Sequence, residues 1–320
     1  MTDRHATAEE VLEGLDLSGM RVLVTGAAVG LGRETARTLA ARGAAITVAG
    51  RGEARMHAVA AELAALTGNP HIDALDIDLA SLDSVRAAAA RYLGMHRQFS
   101  TLINNAGVMA CPLERSVEGH EMQFAACHLG HFLLTCLLVP ALLDGAPSRV
   151  VNLSSAGHKL SPVVFEDIDY LHRPYDKWQG YGQAKTANIL FSVALQRRLG
   201  GLGVSSNAVH PGAIRETELG RHLRTEDYRL LAERSNSDRG FDFKSLGAGA
   251  ATTVWAATAP QFASRGGLYL EDCTIGVPNE DPVAGEGGYR PYAVDADAAE
   301  RLWSVSEEMV GERFEWPADA

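Results

Sequence analysis

The main restriction on how this 320-residue chain can fold comes from a glycine-rich turn near its start. An apolar run at 21–25 leads into the turn, and residues 33–43 then show helical spacing and end on glycine. Gly26 permits a sharp turn, Gly30 lets the backbone approach a pyrophosphate, and Gly32 allows close packing of the helix on a sheet. Ordinary turns also use glycine, but a strand before and a helix after favour a dinucleotide-binding unit.

The same alternation of strand and helix runs along the rest of the chain. Further strands are predicted at 44–50, 71–78, 100–107, 148–155, 203–212 and 266–272, and helices at 53–68, 81–94, 118–139, 177–200, 215–233, 245–259 and 295–311. Strands that alternate with helices form a parallel sheet covered on both faces. We therefore predict one α/β domain, a Rossmann-type doubly wound parallel sheet of about seven strands with helices on both faces.

The domain organisation follows from the absence of any linker rich in proline, serine or charge. We predict an N-terminal extension at 1–17 and a single dinucleotide-binding domain at 18–320. Within that domain, the stretch near 213–240 is predicted to be a substrate lid. Residues 273–294 are predicted to be a C-terminal loop. Within it, the segment 276–292 is predicted to be an irregular surface loop, and the sequence does not define its role.

Composition and charge exclude several classes of protein. With 46% hydrophobic and 22% charged residues the chain is typical of globular proteins, and its formal net charge of -11 repels phosphate backbones and anionic lipids. We therefore expect a small-molecule substrate and no nucleic-acid or membrane partner. The cysteines show neither CxxC pairing nor histidine companions, so no disulfide and no metal site is predicted. No stretch approaches the ~20 apolar residues that cross a bilayer, and we expect a cytoplasmic location.

The end of the second predicted strand indicates which dinucleotide binds. A free ribose 2′-hydroxyl usually meets a carboxylate here, whereas a 2′-phosphate needs positive charge. The strand ends Ala49, Gly50, Arg51, without an acid. A charge-assisted contact of ~1.5 to 3 kcal/mol corresponds to roughly 10-fold to 150-fold preference, so Arg51 favours NADP (NADPH) over NAD. The alternative is that Arg51 only solvates a loop.

Tyr181 and Lys185 are the strongest catalytic candidates. They are four residues apart in a predicted helix and project from one face. An adjacent ammonium and a positive nicotinamide ring both favour the phenolate form of a tyrosine. Such a tyrosine can exchange the hydroxyl proton while hydride moves between a nicotinamide and a carbonyl carbon. Taken alone, a tyrosine and a lysine at this spacing are most often an exposed pair. Two nearby tyrosines, Tyr170 and Tyr175, have no lysine four residues later, so Tyr181 is the candidate.

Several motifs together resemble the short-chain dehydrogenase/reductase superfamily. They are TGxxxGxG at 25–32, NNAG at 104–107, VVNLSS at 150–155, YxxxK at 181–185 and HPG at 210–212. Three further segments, at 128–135, 165–170 and 269–273, are similar to the retinol-dehydrogenase-like branch. The resemblance spans about residues 18–310 of this chain.

The resemblance implies a role for particular residues. It implies that Ser155, with Ser154 as a structural neighbour, holds the reacting oxygen. It implies that Tyr181 is the acid/base and that Lys185 assists it. The insertion between Ser155 and Tyr181 is implied to wall one side of the substrate pocket. The implied cofactor contacts lie in the glycine turn and at the strand ends: Gly26, Gly30, Leu31, Arg51, Asp78, Leu79, Asn105, Ala106, Gly107, Tyr181, Lys185, Pro211, Gly212 and Ile214.

Two positions depart from the family pattern. Where the family carries an asparagine that helps hold a water near the lysine, this chain has Cys127. A thiol is a weak hydrogen-bonding group, so the proton relay is expected to be impaired or rearranged; alternatively, Cys127 only packs as a small apolar residue. Glu216 is an extra residue relative to the related pattern, which weakens the expectation of a diphosphate contact by Thr217.

The sequence therefore predicts an NADP-dependent oxidoreductase that interconverts a hydroxyl and a carbonyl on a small, rather apolar molecule. The alternative, which Cys127 keeps open, is a redox-neutral enzyme or a cofactor-dependent binding protein on the same fold. The predicted helices at 118–139 and 177–200 resemble those that pair protomers in the superfamily, which implies a homodimer or homotetramer. Their apolar stripes could instead serve only the core.

Overall fold

The computed structural model of this chain describes residues 4–227, 229, 243–280 and 287–316. The strands in these residues are β1 Arg21–Thr25, β2 Ala45–Gly50, β3 Ile72–Asp76, β4 Thr101–Asn104, β5 Ser148–Leu153, β6 Val204–His210, β7 Tyr269–Glu271 and β8 Thr274–Ile275. They form one sheet in the order β3-β2-β1-β4-β5-β6-β7-β8, and every neighbouring pair except β7 and β8 is parallel. The predicted doubly wound parallel sheet is confirmed.

The eighth strand lies in the predicted C-terminal loop. Asp272 and Cys273 both have positive φ, 48° and 52°, and this tight turn sends the chain back beside β7. Leu270 then pairs with Ile275 in antiparallel register. The predicted C-terminal loop 273–294 therefore contains a short strand, Thr274–Ile275, just before the segment 276–292 that was predicted to be irregular. Residues 281–286 of that loop lie outside the described residues.

Helices cover both faces of the sheet, as predicted. Their bounds are α1 Ala8–Val11, α2 Gly30–Ala40, α3 Glu53–Thr67, α4 Leu82–Met95, α5 Met122–Phe124, α6 Gly130–Asp144, α7 Lys177–Leu199, α8 Leu246–Thr258 and α9 Ala296–Val310. Successive side chains of a strand point to opposite faces of the sheet. Leu23 therefore packs in the core under α4, α6, α7 and α9. Its neighbours Val22 and Val24 pack in the core under α1, α2, α3 and α8. The sheet is thus sandwiched between two hydrophobic cores.

The strand order reverses between β1 and β4. In open α/β sheets such a reversal leaves a crevice at the carboxyl ends of the strands, and ligands bind there. Thr25 ends β1 and Asn104 ends β4, so the glycine turn and the NNAG segment meet at this crevice. The fold therefore brings the sequence motifs to one edge of the sheet.

A long apolar helical stretch crosses the middle of one core. Among the described residues, Met122–Asp144 is long and apolar enough to cross a membrane by length and composition, which corrects the expectation that no stretch approaches this length. Of its apolar 18-residue window, 78% is buried inside the protein. Phe132 and Leu133 are fully buried, so the apolar residues of this helix serve the core.

Both ends of the described chain pack onto the domain. Ala8 and Leu12, within the predicted N-terminal extension, are fully buried in the core beside α8. At the other end, α9 covers α6 and α7: the ring of Trp303 lies 5.0 Å from that of Phe132, and Ser306 Oγ lies 2.8 Å from His128 Nε2. The apolar stripes of α6 and α7 therefore serve the core at these positions.

Candidate active site

The glycine turn and the NNAG segment are packed against each other. A Cβ on Gly26, whose φ is +66°, would lie 2.8 Å from the Ala106 Cα, and a Cβ on Gly32 would overlap Asn105 Nδ2. The Thr25 hydroxyl accepts hydrogen bonds from the amides of Asn105 at 2.9 Å and Ala106 at 3.1 Å. The predicted close packing at Gly32 thus brings the start of α2 against the turns that follow β1 and β4 at the sheet edge.

Two buried residues that the sequence analysis missed fasten this turn to the neighbouring helix. Thr25 Oγ1 lies 2.8 Å from His131 Nε2, and His131 Nδ1 lies 3.0 Å from the Cys127 carbonyl oxygen. Because a carbonyl can only accept, Nδ1 carries the proton and Nε2 accepts from the threonine. Burial lowers the pKa of His131 to about 4, which keeps the ring neutral. The HLGHF pattern shows the histidine, but no local signal shows its partners.

Ser155, Tyr181 and Lys185 come together at the carboxyl end of β5. Tyr181 and Lys185 lie on α7, are each 4% exposed, and Lys185 Nζ lies 5.8 Å from the Tyr181 ring centroid. A hydrogen bond joins Tyr181 to Ser155, and the Lys185 ammonium donates to the Leu153 carbonyl at 2.9 Å. Ser154 Oγ donates to the Lys185 carbonyl at 2.8 Å, which fixes the serine pair against α7.

Burial controls the protonation of this group. Burial raises the pKa of Tyr181 above its usual value, and the hydrogen bond with Ser155 opposes this only in part. Burial also lowers the pKa of Lys185. For the polypeptide by itself, the predicted lowering of the phenol pKa is therefore wrong, because desolvation of the phenolate is the largest effect; the predicted effect of a bound nicotinamide ring stays a prediction.

Gly157 sets the position of the phenol ring. A Cβ at this residue would lie 2.6 Å from Tyr181 Cε1, so the ring packs directly on the glycine backbone. The Gly157 amide donates to Ser155 Oγ at 3.0 Å. The sequence analysis missed this residue, because a glycine two positions after a serine is common in any turn.

Cys127 lies in a π-helical turn, Ala125–Leu129, between α5 and α6. It is fully buried, and its sulfur contacts the amide and the carbonyl of Val108 at 3.4 and 3.5 Å. A Cβ on Gly107 would lie 3.2 Å from Cys127 Sγ and 3.6 Å from Lys185 Nζ, so both side chains face the Gly107 backbone. The thiol therefore packs as a small residue, while a role in a proton relay stays a hypothesis.

Comparison with known proteins decides the family. Residues 20–227 match the family model of short chain dehydrogenases. The chain is 39% identical over 295 residues to retinol dehydrogenase 13 from Homo sapiens, covering 92% of this chain and 86% of that protein. It is 38% identical over 302 residues to retinol dehydrogenase 12 from Mus musculus, covering 94% and 89%. This chain is a short-chain dehydrogenase. It belongs to the retinol-dehydrogenase-like branch, and the predicted resemblance is confirmed.

A solved structure supports the same conclusion about the fold. An uncharacterized protein from Mycobacterium paratuberculosis superposes with a TM-score of 0.72 at 31% identity, over 96% of this chain and 98% of that one. Family membership makes this dehydrogenase an oxidoreductase that acts on hydroxyl and carbonyl groups with a nicotinamide dinucleotide. Its glycine turn fits that cofactor: Gly30 has a φ of +58°, and the nearest atoms to a Cβ there belong to Thr217, 3.6 Å away.

At the adenosine end of the dehydrogenase, the predicted contacts follow β2 and β3. Arg51 is exposed directly after β2. Asp78 accepts a hydrogen bond from the Ala80 amide at 3.0 Å, and Leu79 packs against Gly130 at the start of α6. The sequence analysis missed Asp76, which ends β3.

At the predicted nicotinamide end, the HPG segment packs on an ion pair with a buried lysine and a half-buried aspartate. Gly212 has a φ of +91°, and a Cβ there would lie 2.7 Å from Lys244 Cδ. Lys244 Nζ lies 2.6 Å from Asp272 Oδ1. Burying one charge without the other is costly, so this pair ties the turn after Pro211 to the end of β7. The sequence analysis missed both charged residues, which are distant in sequence from the motif.

Leu31 and Ile214 approach each other over α8. A Cβ on Gly249 would lie 2.8 Å from Leu31 Cδ2 and 2.8 Å from Ile214 Cγ1. Ile214 also forms a parallel bridge with Lys244, which joins the start of the predicted lid to a residue that follows it in the chain. Their side chains therefore pack on the protein beside the predicted cofactor site.

The insertion between Ser155 and Tyr181 is anchored to the catalytic helix. Gln183, two residues after Tyr181, donates to the Ile168 carbonyl at 2.9 Å and accepts from the Val164 amide at 3.0 Å. The guanidinium of Arg173 also donates to Gln183 at 3.1 Å. The insertion is thus anchored to the helix that carries Tyr181, and its role as a pocket wall stays a prediction.

The described part of the predicted lid is clamped to the start of α7. Lys177 Nζ lies 2.6 Å from Asp227 Oδ1, and Asp227 is buried. Hydrogen bonds from the Arg224 amide and from Lys177 help to lower the pKa of Asp227, against the effect of burial. Residues 228 and 230–240 of the predicted lid lie outside the described residues.

The described residues contain no group of three or more histidine, cysteine or acidic side chains that could hold a metal ion. The cysteines are free and buried: Cys111, Cys127, Cys136 and Cys273.

Proposed function

We propose that this short-chain dehydrogenase is an NADP-dependent oxidoreductase that interconverts a hydroxyl and a carbonyl on a small, rather apolar molecule, with Tyr181 as the acid/base. The observation that carries the proposal is the buried contact of Tyr181 with Ser155 beside the Lys185 ammonium. A buried serine, tyrosine and lysine that lie together suit a substrate that presents one oxygen to them.

The geometry supports a division of labour among these residues. The Ser155 hydroxyl is placed to hydrogen-bond the reacting oxygen, and Tyr181 is placed to give or take its proton. Lys185 donates to the Leu153 carbonyl, so its charge is fixed at the strand end next to the phenol. The nicotinamide cofactor supplies or accepts the hydride.

Arg51 supports NADP as the preferred cofactor. It is exposed at the end of β2, and β2 carries no acidic side chain there. A guanidinium at this point favours a 2′-phosphate over a free hydroxyl. NAD is the less favoured cofactor in this proposal. The cytoplasmic location, the lack of nucleic-acid and membrane partners, and the homodimer or homotetramer stay predictions.

A second function is favoured by Cys127, whose thiol replaces a stronger hydrogen-bonding group beside Lys185. A panel of ketones, aldehydes and quinones, assayed for NADPH consumption with the full-length protein, separates the two functions. Consumption with at least one carbonyl compound is expected. Binding of NADPH without consumption across the whole panel would favour a redox-neutral enzyme or a binding protein instead.

A further inference from the structure

Asp76 brings a carboxylate to the turn after β2, where β2 itself has none. It is the last residue of β3 and pairs with Gly50 across the sheet. Its Oδ1 accepts a hydrogen bond from the Gly52 amide at 2.7 Å. Gly52 directly follows Arg51 and is the N-cap of α3. A residue distant in sequence therefore places negative charge beside Arg51.

The positive charges at this turn are open to a ligand. Arg51 and Arg55 are both exposed, and within the described part of the chain neither forms an ion pair. By contrast, Arg33 on α2 has its guanidinium 2.9 Å from Glu62. A ligand bound at this turn would thus meet Arg51, Arg55 and Asp76, while the nearby Glu53 carboxylate lies 3.0 Å from the Arg91 guanidinium.

The two forms of the cofactor make opposite demands on such a turn. A phosphate carries about two negative charges near neutral pH and binds to guanidinium groups and free amides. The Asp76 carboxylate repels that phosphate and already takes the Gly52 amide. A ribose hydroxyl can instead donate a hydrogen bond to a carboxylate. Arg51 and Asp76 therefore favour different dinucleotides.

We propose that Asp76 is a specificity-determining residue that limits the preference for NADP, so that the dehydrogenase binds NAD as well. This inference rests on the proposed function, because it refines how the same cofactor site chooses its nucleotide. Arg51 attracts the 2′-phosphate, and Asp76 offsets part of that attraction. The effect lies in the ratio of two affinities and leaves Ser155 and Tyr181 untouched.

Asp76 also has a structural role at the start of α3, and this role can be separated by experiment from an effect on nucleotide specificity. Gly52 has no side chain to cap α3, and the Asp76 carboxylate accepts a hydrogen bond from the amide of this N-cap residue. Asp76→Asn keeps an acceptor oxygen at the same place and removes the charge, while Asp76→Ala removes both. If Asp76 acts only as a cap, Asp76→Asn should leave the ratio of NADPH to NADH affinity unchanged, and Asp76→Ala should lower the melting temperature.

The test is equilibrium binding of NADPH and of NADH to the full-length protein, followed by the fluorescence of each nucleotide. Asp76→Asn is expected to raise the preference for NADPH about two- to fivefold without a change in melting temperature. Asp76→Ser, a second neutral acceptor, is expected to act in the same direction. Asp73→Asn is the matched control: Asp73 is on β3 but faces His96 at 3.2 Å, and its ratio should not change.

The outcomes separate this inference from the proposed function. An unchanged or smaller NADPH preference in both neutral variants, with the wild type still binding NADPH, would overturn the role of Asp76 and leave the proposed function standing. Failure of the wild type to bind either nucleotide would overturn both. An equal shift in Asp73→Asn would show a general charge effect and would also overturn the role of Asp76.

Discussion

The two ends of the cofactor cleft differ in their exposure to water. Tyr181 and Lys185 are each 4% exposed, whereas Arg51 and Asp76 are exposed. At the buried end, desolvation sets the protonation states, and one misplaced atom moves a reacting group. At the open end, charges are screened by water and act as a graded preference. Chemistry and cofactor choice are therefore sensitive to different kinds of change.

The largest expected effect is on stability at the buried side. Burial lowers the pKa of His131 and of His158 to about 4, so both stay neutral in the folded protein, whereas the unfolded chain binds protons below about pH 6.5. This stability is fully present above about pH 6.5 and is lost as the pH falls toward 4. Proton binding by each histidine in the unfolded chain should lower the free energy of unfolding by about 2 kcal/mol at pH 5, as measured by urea unfolding. The exposed His57→Gln variant should show the same pH dependence of the free energy of unfolding as the wild type. If the wild-type free energy of unfolding did not fall between about pH 6.5 and pH 5, burial of these histidines would be contradicted as a cause.

The next effect concerns the ring that packs on Gly157. Gly157→Ala places a Cβ 2.6 Å from Tyr181 Cε1, so the ring must move, and turnover should fall about 100-fold. Gly94→Ala is the matched control, since a Cβ there meets nothing within 4 Å. The measurement is the steady-state turnover rate of both variants. Equal activity of the two would mean that the ring position does not govern the reaction.

At the open end, Arg51→Ala should weaken NADPH binding by roughly 10-fold to 150-fold and NADH binding far less, because only one of the two carries the 2′-phosphate. Fluorescence titration with each nucleotide measures this. Arg97→Ala, at another exposed arginine, should leave both affinities unchanged. Equal losses for the two nucleotides in Arg51→Ala would reject the assignment of NADP to this residue.

The smallest effect is expected at Cys127. Its sulfur already packs against Val108, so Cys127→Asn should change turnover by less than about threefold. Cys127→Ser, closer in size, controls for crowding. A gain of tenfold or more in the asparagine variant would instead route a proton relay through this position.

The fold was predictable because its signals are local. Strands and helices alternate with clear hydrophobic spacing, and the glycine turn and the strand-end motifs sit at their junctions. The structure confirmed this order and brought Ser155, Tyr181 and Lys185 to one place, but the helix predicted at 215–233 was wrong at its start, where only Glu218–Gly220 form a short 3-10 helix within residues 215–224. The antiparallel β8 was not predicted, since two residues after a tight turn leave no periodic pattern.

The rest of the site depends on contacts between residues far apart in sequence. Nothing near Arg51 shows that Asp76 will reach the next amide, and nothing near Gly212 shows Lys244 beneath it. The direction of the pKa shift at Tyr181 was also mispredicted, because spacing on a helix gives proximity and says nothing about burial. Burial is a property of the whole fold, and sequence motifs do not carry it.

The central claim is that Tyr181 exchanges the proton of the reacting oxygen. The most direct measurement is NADPH-dependent turnover of a carbonyl substrate by Tyr181→Phe, with Tyr92→Phe as a control that removes a buried phenol oxygen on α4. Tyr181→Phe should lose about 100-fold to 10,000-fold in rate while binding NADPH with unchanged affinity, and Tyr92→Phe should keep its rate. Turnover by Tyr181→Phe within threefold of the wild type would contradict the account.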